Sequence, residues 1–168
     1  MLSPLVSAAT NGGAASFARL PLAFEANRGQ MDPEVRYLSR GAGYTLLLTA
    51  SELVMALPGD GASASGSVVR MRLQGASSAS RTEGLEELPG KVSYFRSPDP
   101  KRWRANIPTY RKVAYRQIYP GIDLVLYGNE RQIEYDFVVA PGADPRTVRL
   151  VFEGEGAVRL DSKGDLIL

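Results

Sequence analysis

The sequence predicts an all-β protein, specifically an antiparallel β-sandwich of many short strands joined by hairpins. In Val68–Leu73 and Gln132–Val139, apolar and polar residues alternate, which sorts them to opposite faces of a strand. Turn-forming residues such as Pro89-Gly90 and Ser162–Asp165 fall between the apolar runs. These runs recur every 8–12 residues or so, a spacing typical of sandwiches and barrels.

The ordered chain is expected to begin with the extended stretch Leu20–Phe24, because Pro21 disfavours a helix there. Thr49–Leu57 has two interpretations: Thr49 followed by Glu52 resembles a helix capping box, whereas the β-branched and apolar neighbours favour a hairpin. Near the end, Val148, Leu150 and Phe152 alternate with Thr147, Arg149 and Val151 as the two faces of a strand do. The weaker strand predictions are Val35–Ser39, Tyr44–Thr49, Leu53–Leu57, Lys91–Arg96, Tyr110–Arg116, Ile122–Tyr127, Val158–Leu160 and Leu166–Leu168.

The chain is predicted to contain a flexible leader, residues 1–19, and one domain, residues 20–168. The leader is rich in Ala, Ser and Gly, has little to bury, and lacks the basic start and apolar core of a secretory signal. The domain ends within an apparent strand at Asp165–Leu168 with no closing turn. Since complete domains usually cover such an edge, we expect the sequence to be cut inside its domain.

The composition excludes many kinds of active site. The 168 residues include no Cys and no His, so thiolate nucleophiles, zinc ribbons, iron–sulfur sites, His-ligated metals and Ser-His-Asp triads are all excluded. Twenty basic and 18 acidic residues leave a net charge of only +2. No run approaches the ~18 apolar residues of a membrane-spanning helix. We therefore predict no enzyme activity, no cofactor, no bound metal and no membrane span.

The most enzyme-like pattern is Glu134-Tyr135-Asp136. Carboxylates two residues apart on a strand share a face at about 6–7 Å, from a rise of ~3.3 Å per residue. That spacing overlaps the pairs used by glycosidases, and Asp123 on the preceding strand is a possible third member. The simpler interpretation is the solvated face of an amphipathic strand, with these acids paired to Arg residues across the sheet.

A basic and aromatic stretch runs from Lys101 to Arg116, with six cations and no acidic residue. Cations interleaved with rings suit acidic glycans or nucleic acids, and Trp103, Arg104, Tyr110 and Tyr115 are the candidate contacts, with Tyr119 just beyond. The same alternation is also that of an ordinary strand, in which Trp103 would be a packing anchor. Acidic residues elsewhere cancel most of the charge, so no nucleic-acid partner is predicted.

Two further motifs suggest no binding site. Asp161 and Asp165 bracket a turn but lack the spaced oxygen ligands of a calcium loop. Gly154-Glu155-Gly156 is followed by neither Gly-Lys-Ser/Thr nor a helix, so it is not a phosphate loop.

Six ordered blocks resemble one family: Leu22–Gln30, Tyr37–Tyr44, Leu88–Phe95, Trp103–Tyr110, Tyr119–Asn129 and Glu134–Pro145. They are similar to the N-terminal domain that precedes SBBP (β-propeller-type) repeats in large bacterial surface or secreted proteins. The resemblance implies an extracellular or cell-envelope location and downstream propeller-type repeats as partners within the same polypeptide. It implies no catalytic residues. In the first block, Asn27–Gln30 is interpreted as a backbone-bonded turn, with a ligand contact as the alternative.

Three functions are therefore considered. The first is a non-catalytic surface β-domain with a structural or binding role, contacting its own repeats, a surface protein or a glycan. The second is a carbohydrate-binding sandwich with exposed aromatic rings as a stacking platform. The third is a glycoside hydrolase or lyase that uses Glu134, Asp136 and Asp123.

Overall fold

The computed structural model describes residues 22–41, 43–59, 66–129, 132–154, 159–160 and 166–167. Within these ranges the chain forms twelve strands and two short 3₁₀ turns, at Pro100–Arg102 and Pro145–Thr147. The strands are β1 Phe24–Ala26, β2 Tyr37–Gly41, β3 Tyr44–Leu48, β4 Glu52–Leu57, β5 Ser67–Leu73, β6 Arg81–Tyr94, β7 Arg104–Tyr119, β8 Ile122–Asn129, β9 Gln132–Val139, β10 Leu150–Gly154, β11 Arg159–Leu160 and β12 Leu166–Ile167.

Strands β1 to β10 form one antiparallel sheet in the order β10-β5-β4-β3-β2-β1-β7-β8-β9, with β6 on the opposite edge of β7. The predicted all-β antiparallel class is confirmed. The sandwich arrangement is not confirmed, because β1 to β10 form a single curled sheet, a half-barrel, while β11 and β12 form a separate two-stranded sheet.

The curl originates at β7, which is 16 residues long. One edge of β7 is shared by two strands placed end to end: β1 pairs at Thr109 and Tyr110, and β8 pairs from Val113 to Tyr119. Two arms of the sheet therefore extend from the same edge of β7. One arm contains β1 to β5 and β10, and the other contains β8 and β9. Their apolar faces meet in the core, which includes Leu22, Phe24, Leu46, Leu48, Leu53, Met71, Leu73, Val113, Tyr115, Ile118, Tyr119, Ile122, Leu124 and Leu126.

The predicted alternation is clearest in β5, where Met71 and Leu73 are buried while Arg70 and Arg72 are exposed. In Thr49–Leu57 the hairpin interpretation is confirmed, because β4 pairs with both β3 and β5. The hydroxyl oxygen of Thr49 accepts the backbone N–H of Glu52 at 3.0 Å, as in a capping box, but here that bond closes a turn between strands.

The Pro89-Gly90 turn prediction is wrong, because both residues lie inside β6. The register between β6 and β7 shifts between Glu87 and Lys91, and this irregularity accommodates a proline that has no N–H to donate. The predicted strand Tyr110–Arg116 is part of β7, and the predicted strand Lys91–Arg96 belongs to β6 up to Tyr94; β6 and β7 form one long ribbon. Its tip, residues 95–103, carries the candidate site.

Some predictions fall outside the described residues: the leader, the Ser162–Asp165 turn, the Asp161 and Asp165 pair, Gly154–Gly156 beyond its first residue, and the open chain end. The strands on either side of that turn are described, with Arg159 paired to Ile167 and Leu160 to Leu166. Among the residues that the structure describes, no helix has the length and apolar character needed to cross a membrane.

Candidate functional site

The turn after β1 is held by the side chain of Asn27. Its amide nitrogen donates to the carbonyl oxygens of Asp32 and Val35, each at 2.8 Å, while its oxygen accepts the N–H of Gly29 at 3.0 Å. The amide of Gln30 donates to the carbonyl of Ala26 at 2.8 Å. The predicted backbone-bonded turn at Asn27–Gln30 is therefore confirmed.

The tip of the β6–β7 ribbon is also held by side-chain hydrogen bonds and by ring packing. Asp99 caps the 3₁₀ turn by accepting the N–H of Lys101 at 2.9 Å. The indole N–H of Trp103 donates to the carbonyl of Ser97 at 2.8 Å, and its ring meets Phe95 edge to face at 5.2 Å between centroids. Trp103 thus packs within the tip, although 43% of its surface stays exposed.

Arg104 links the Asn27–Gln30 turn to the ribbon tip by hydrogen bonds, a contact that we call the clasp. Its Nε–H donates to the carbonyl of Arg28 at 2.9 Å, and its Nη1 donates to the carbonyls of Lys101 and Trp103 at 3.2 and 3.0 Å. The guanidinium lies directly against Gly29, whose φ is +95°, and a Cβ on that residue would stand 3.0 Å from Nε. Glycine at this position meets both requirements, the backbone conformation and the close contact.

The clasp leaves a cleft of about 460 Å³ between the turn and the ribbon tip. We call it the arginine cleft; its lining residues are Gly29, Gln30, Tyr94, Arg96, Ser97, Pro98, Arg102 and Arg104. Its volume lies within the roughly 300–1,000 Å³ range of small-molecule sites. The three guanidinium groups in the lining make it a basic site.

Tyr94 is fixed at the base of this cleft by Glu25, a residue of β1 that is only 7% exposed. Glu25 accepts hydrogen bonds from the Tyr94 hydroxyl and from Arg40. Burial and then the hydrogen bond to Glu25 raise the pKa of Tyr94. The guanidinium carbons of Arg40 and Arg96 lie 5.6 and 5.2 Å from the centroid of its ring, so each makes a cation–π contact.

Four cations in or beside the cleft have no acidic partner among the described residues. Elsewhere most Arg and Lys side chains are paired with Asp or Glu, but in the described part of the chain Arg96, Lys101, Arg102 and Arg104 take part in no salt bridge. The only acidic residue in segment 94–104 is Asp99. In the described part of the chain, no carboxylate therefore forms a salt bridge with the guanidinium groups that line the cleft.

The second half of the predicted basic stretch has a structural role instead. Arg111 and Lys112 pair with Glu86 at 3.4 and 2.6 Å, and Arg116 pairs with Glu83 and Asp123 at 2.6 and 2.8 Å.

The predicted tyrosine platform is wrong for two of its rings. Tyr115 is fully buried and Tyr119 is 2% exposed, since both point into the core and donate their hydroxyls to backbone carbonyls. Tyr110 is half-buried and meets Tyr37 edge to face at 5.9 Å. Its ring covers Gly84 on the neighbouring strand so closely that a Cβ there would lie 2.3 Å from it.

The three predicted catalytic carboxylates share an open face of the sheet. Glu134 and Asp136 are exposed on β9, as the amphipathic interpretation predicts. Asp136 accepts a hydrogen bond from Tyr127 at 3.0 Å, and no arginine in the described part of the chain pairs with it. Asp123 accepts from Arg116 and from the backbone N–H of Gln117, at 2.8 and 2.7 Å. None of the three lines the arginine cleft.

Sequence reasoning identified Arg104 but missed Tyr94, Arg96, Arg102 and Glu25 as parts of one site. These residues come from β1, the end of β6 and the ribbon tip, which only the pairing of β1 with β7 brings together. The sequence did contain a pattern that could have located the site. Three of the six blocks that resemble the family meet at this cleft: Leu22–Gln30, Leu88–Phe95 and Trp103–Tyr110. In the described part of the chain, no three His, Cys, Asp or Glu residues lie close enough to hold a metal ion.

Comparison with known proteins adds a family but no mechanism. No curated protein and no solved structure matches the chain. The predicted link to propeller-type repeats therefore remains a prediction. One family model matches residues 24–168, which include every described residue of the arginine cleft. On that match the chain belongs to the family described as a domain of unknown function, DUF7948.

Proposed function

We propose that this chain is a non-catalytic binding domain whose arginine cleft takes an anionic ligand bearing carboxylate, sulfate or phosphate groups. The observation that carries the proposal is the group of guanidinium side chains in the cleft, Arg96, Arg102 and Arg104, which have no carboxylate partner among the described residues. A planar guanidinium binds such oxyanions with two parallel hydrogen bonds, and each of these is stronger than a neutral one.

The cleft is also preorganised, which lowers the entropy lost on binding. Arg104 already makes three hydrogen bonds to backbone carbonyls, and Arg96 rests on the ring of Tyr94, which Glu25 holds in place. A free sulfate has roughly the volume of two waters, on the order of 60 Å³ at ~30 Å³ each. The cleft is several times larger, so a ligand of sugar size fits it better than a lone ion does.

A hydrolase using Glu134, Asp136 and Asp123 is less well supported. Glycosidases place two carboxyl groups on opposite sides of a bound sugar. Here the carboxylates lie side by side on an open sheet face, and Asp123 is held by Arg116 and the Gln117 backbone.

Two parts of the proposal rest on the sequence. The resemblance to domains that precede propeller-type repeats supports a place in a bacterial surface or secreted protein, with those repeats as partners. A second candidate function, binding of neutral carbohydrate, rests on the exposed pair Trp103 and Phe95, which are 43% and 61% exposed. These two rings do not line the arginine cleft, so the two functions can be tested separately.

The test is calorimetric titration at low salt with sodium sulfate, sodium phosphate and an oligogalacturonate, using the chain itself and two variants. Replacing Arg96 and Arg102 together with Gln removes charge from the cleft. Arg81→Gln removes one exposed charge at the far end of β6 as the control. We expect the double variant to lose at least about tenfold in affinity, since one charged hydrogen bond is worth ~1.5 kcal/mol. The control should stay within about twofold.

Equal affinity in the double variant would show that the anion binds elsewhere, and failure of all three probes to bind would refute the function. For the second candidate, a neutral glycan array is probed with the chain and with Trp103→Ala. Retention of glycans by the chain but not by this variant would support carbohydrate binding, and no retention by either would exclude it.

A further inference from the structure

The edge strand β9 is unusually exposed and apolar. It stands at one end of the sheet and pairs, among the described strands, only with β8, so every second backbone N–H and C=O faces outward. Five large apolar side chains are exposed in the described part of the chain, and three of them are on this strand: Tyr135, Val138 and Val139, at 40%, 55% and 39%. Proteins usually protect such an edge, because it is a template for pairing with another strand.

An apolar groove of about 160 Å³ lies next to this edge. Ile133 and Tyr135 of β9 form one side and Phe152 of β10 forms another, with Met55, Val69 and Met71 also in its lining. Since β9 and β10 are the two end strands of the curled sheet, the groove occupies the opening of the half-barrel. A strand added to β9 would place alternate side chains in this groove.

The face of β9 that points away from the groove determines which partner strand can pair with it. Glu134 and Asp136 are exposed there, so a neighbouring strand would meet carboxylates at alternate positions. A second copy of β9 paired antiparallel and centred on Glu134, Tyr135 or Asp136 would set acidic residues opposite each other, which destabilises a sheet. Charge therefore disfavours self-pairing and favours a strand with Lys or Arg on that face.

The protein itself contains a pairing of this kind. On β5, Arg70 and Arg72 alternate with the buried Met71, and both arginines reach Glu52 on the adjacent β4, at 3.5 and 2.8 Å. Within this fold, a carboxylate on one strand thus pairs with cations on a neighbouring strand in which cationic and apolar residues alternate.

We propose that β9 and its groove form a strand-addition site for an extended segment of a protein partner in which apolar residues alternate with Lys or Arg. Backbone hydrogen bonds to β9 supply affinity, the groove selects the apolar side chains, and Glu134 and Asp136 select the cations. This site shares no residue with the arginine cleft and does not depend on the function proposed for that cleft.

The experiment titrates the chain with two peptides of equal composition, one alternating lysine and valine and one with the lysines and valines in separate blocks. Binding is followed by calorimetry, and amide exchange of β9 by NMR. We expect the alternating peptide to bind at least about tenfold more tightly and to slow exchange at alternate β9 amides. Replacing Glu134 and Asp136 together with Lys should abolish that preference. Glu87→Lys, a similar change on the exposed strand β6, should preserve it.

Equal binding of the two peptides, or undiminished binding to the doubly substituted chain, would overturn the proposal. Protection of the outward β9 amides without any peptide would also overturn it. In that case sedimentation would distinguish a second copy from a segment of the same chain as the occupant. The variant with Gln at Arg96 and Arg102 should bind the alternating peptide normally, so failure of the cleft proposal would leave this test intact.

Discussion

Gly29→Ala tests the clasp that shapes the arginine cleft. An alanine held at φ +95° carries a steric cost of about 1–2 kcal/mol. Its Cβ would also stand 3.0 Å from the Nε of Arg104, which displaces the guanidinium and weakens its hydrogen bond to Arg28, a further ~1 kcal/mol. The expected loss in the free energy of unfolding is therefore roughly 2–3 kcal/mol. For a domain of this size that lowers Tm by about 5–10 °C.

The matched control is Gly90→Ala on β6. Its backbone is not in the left-handed region and a Cβ there meets no atom of the described residues within 4 Å, so we expect stability to change by less than about 0.5 kcal/mol. A double-mutant cycle separates the two costs at Gly29. In an Arg104→Ala background the clasp is already lost, and Gly29→Ala should then cost only the backbone strain, about 1–2 kcal/mol.

The assay is urea unfolding followed by circular dichroism, with anion titration on the same samples. If Gly29→Ala destabilises the protein no more than Gly90→Ala does, the argument from backbone conformation and close contact is refuted. If it destabilises equally with and without Arg104, the clasp adds nothing beyond strain.

Three other outcomes are expected. Tyr115→Phe should lower the free energy of unfolding by about 1 kcal/mol in urea titrations, because the partly buried carbonyl of Thr49 loses its donor at 2.8 Å. Burial alone would raise the pKa of Asp123, but the Gln117 N–H and Arg116 together hold it below its ordinary value of 3.8. The lowered pKa of Asp123 therefore stabilises the fold fully above about pH 4, and this stabilisation is lost as the pH falls through the lowered pKa. The Asp123→Asn variant should lack this part of the pH dependence when its acid unfolding curve is compared with that of the unchanged chain. Asp136→Asn should return the raised pKa of Tyr127 toward its ordinary value, as measured by NMR titration of the ring.

Much of the fold could be predicted because it depends on local alternation. In β5, Met71 and Leu73 face inward and Arg70 and Arg72 outward, as the period of two requires. The single curled sheet could not be predicted, because it follows from β1 and β8 sharing one edge of β7, a pairing that no local pattern encodes. Pro89 was misread as a turn for a related reason: an edge strand with a register shift tolerates a proline.

The candidate site was less predictable than the fold. Arg104 was identified from its basic and aromatic neighbours, yet the same pattern also pointed to Tyr115, which is buried in the core. Composition cannot distinguish a ring that packs from one that binds, or a paired arginine from a free one. Arg116 is paired with two carboxylates, whereas Arg96 is paired with none among the residues that the structure describes, and this difference depends on strands distant in sequence.

The pairing of β1 with β7 also has a consequence for how the chain folds. Phe24 meets Tyr110 across a large loop that contains β2 to β6, whereas those intervening hairpins can form from near neighbours. Closing so long a loop costs entropy that only late native contacts repay, so this step is expected to be slow. Gly29 and Arg96 lie near the two ends of that loop, so its closure brings them together, and ligand affinity should emerge only at the final stage of assembly. Refolding followed by bound anion should then lag behind refolding followed by strand content.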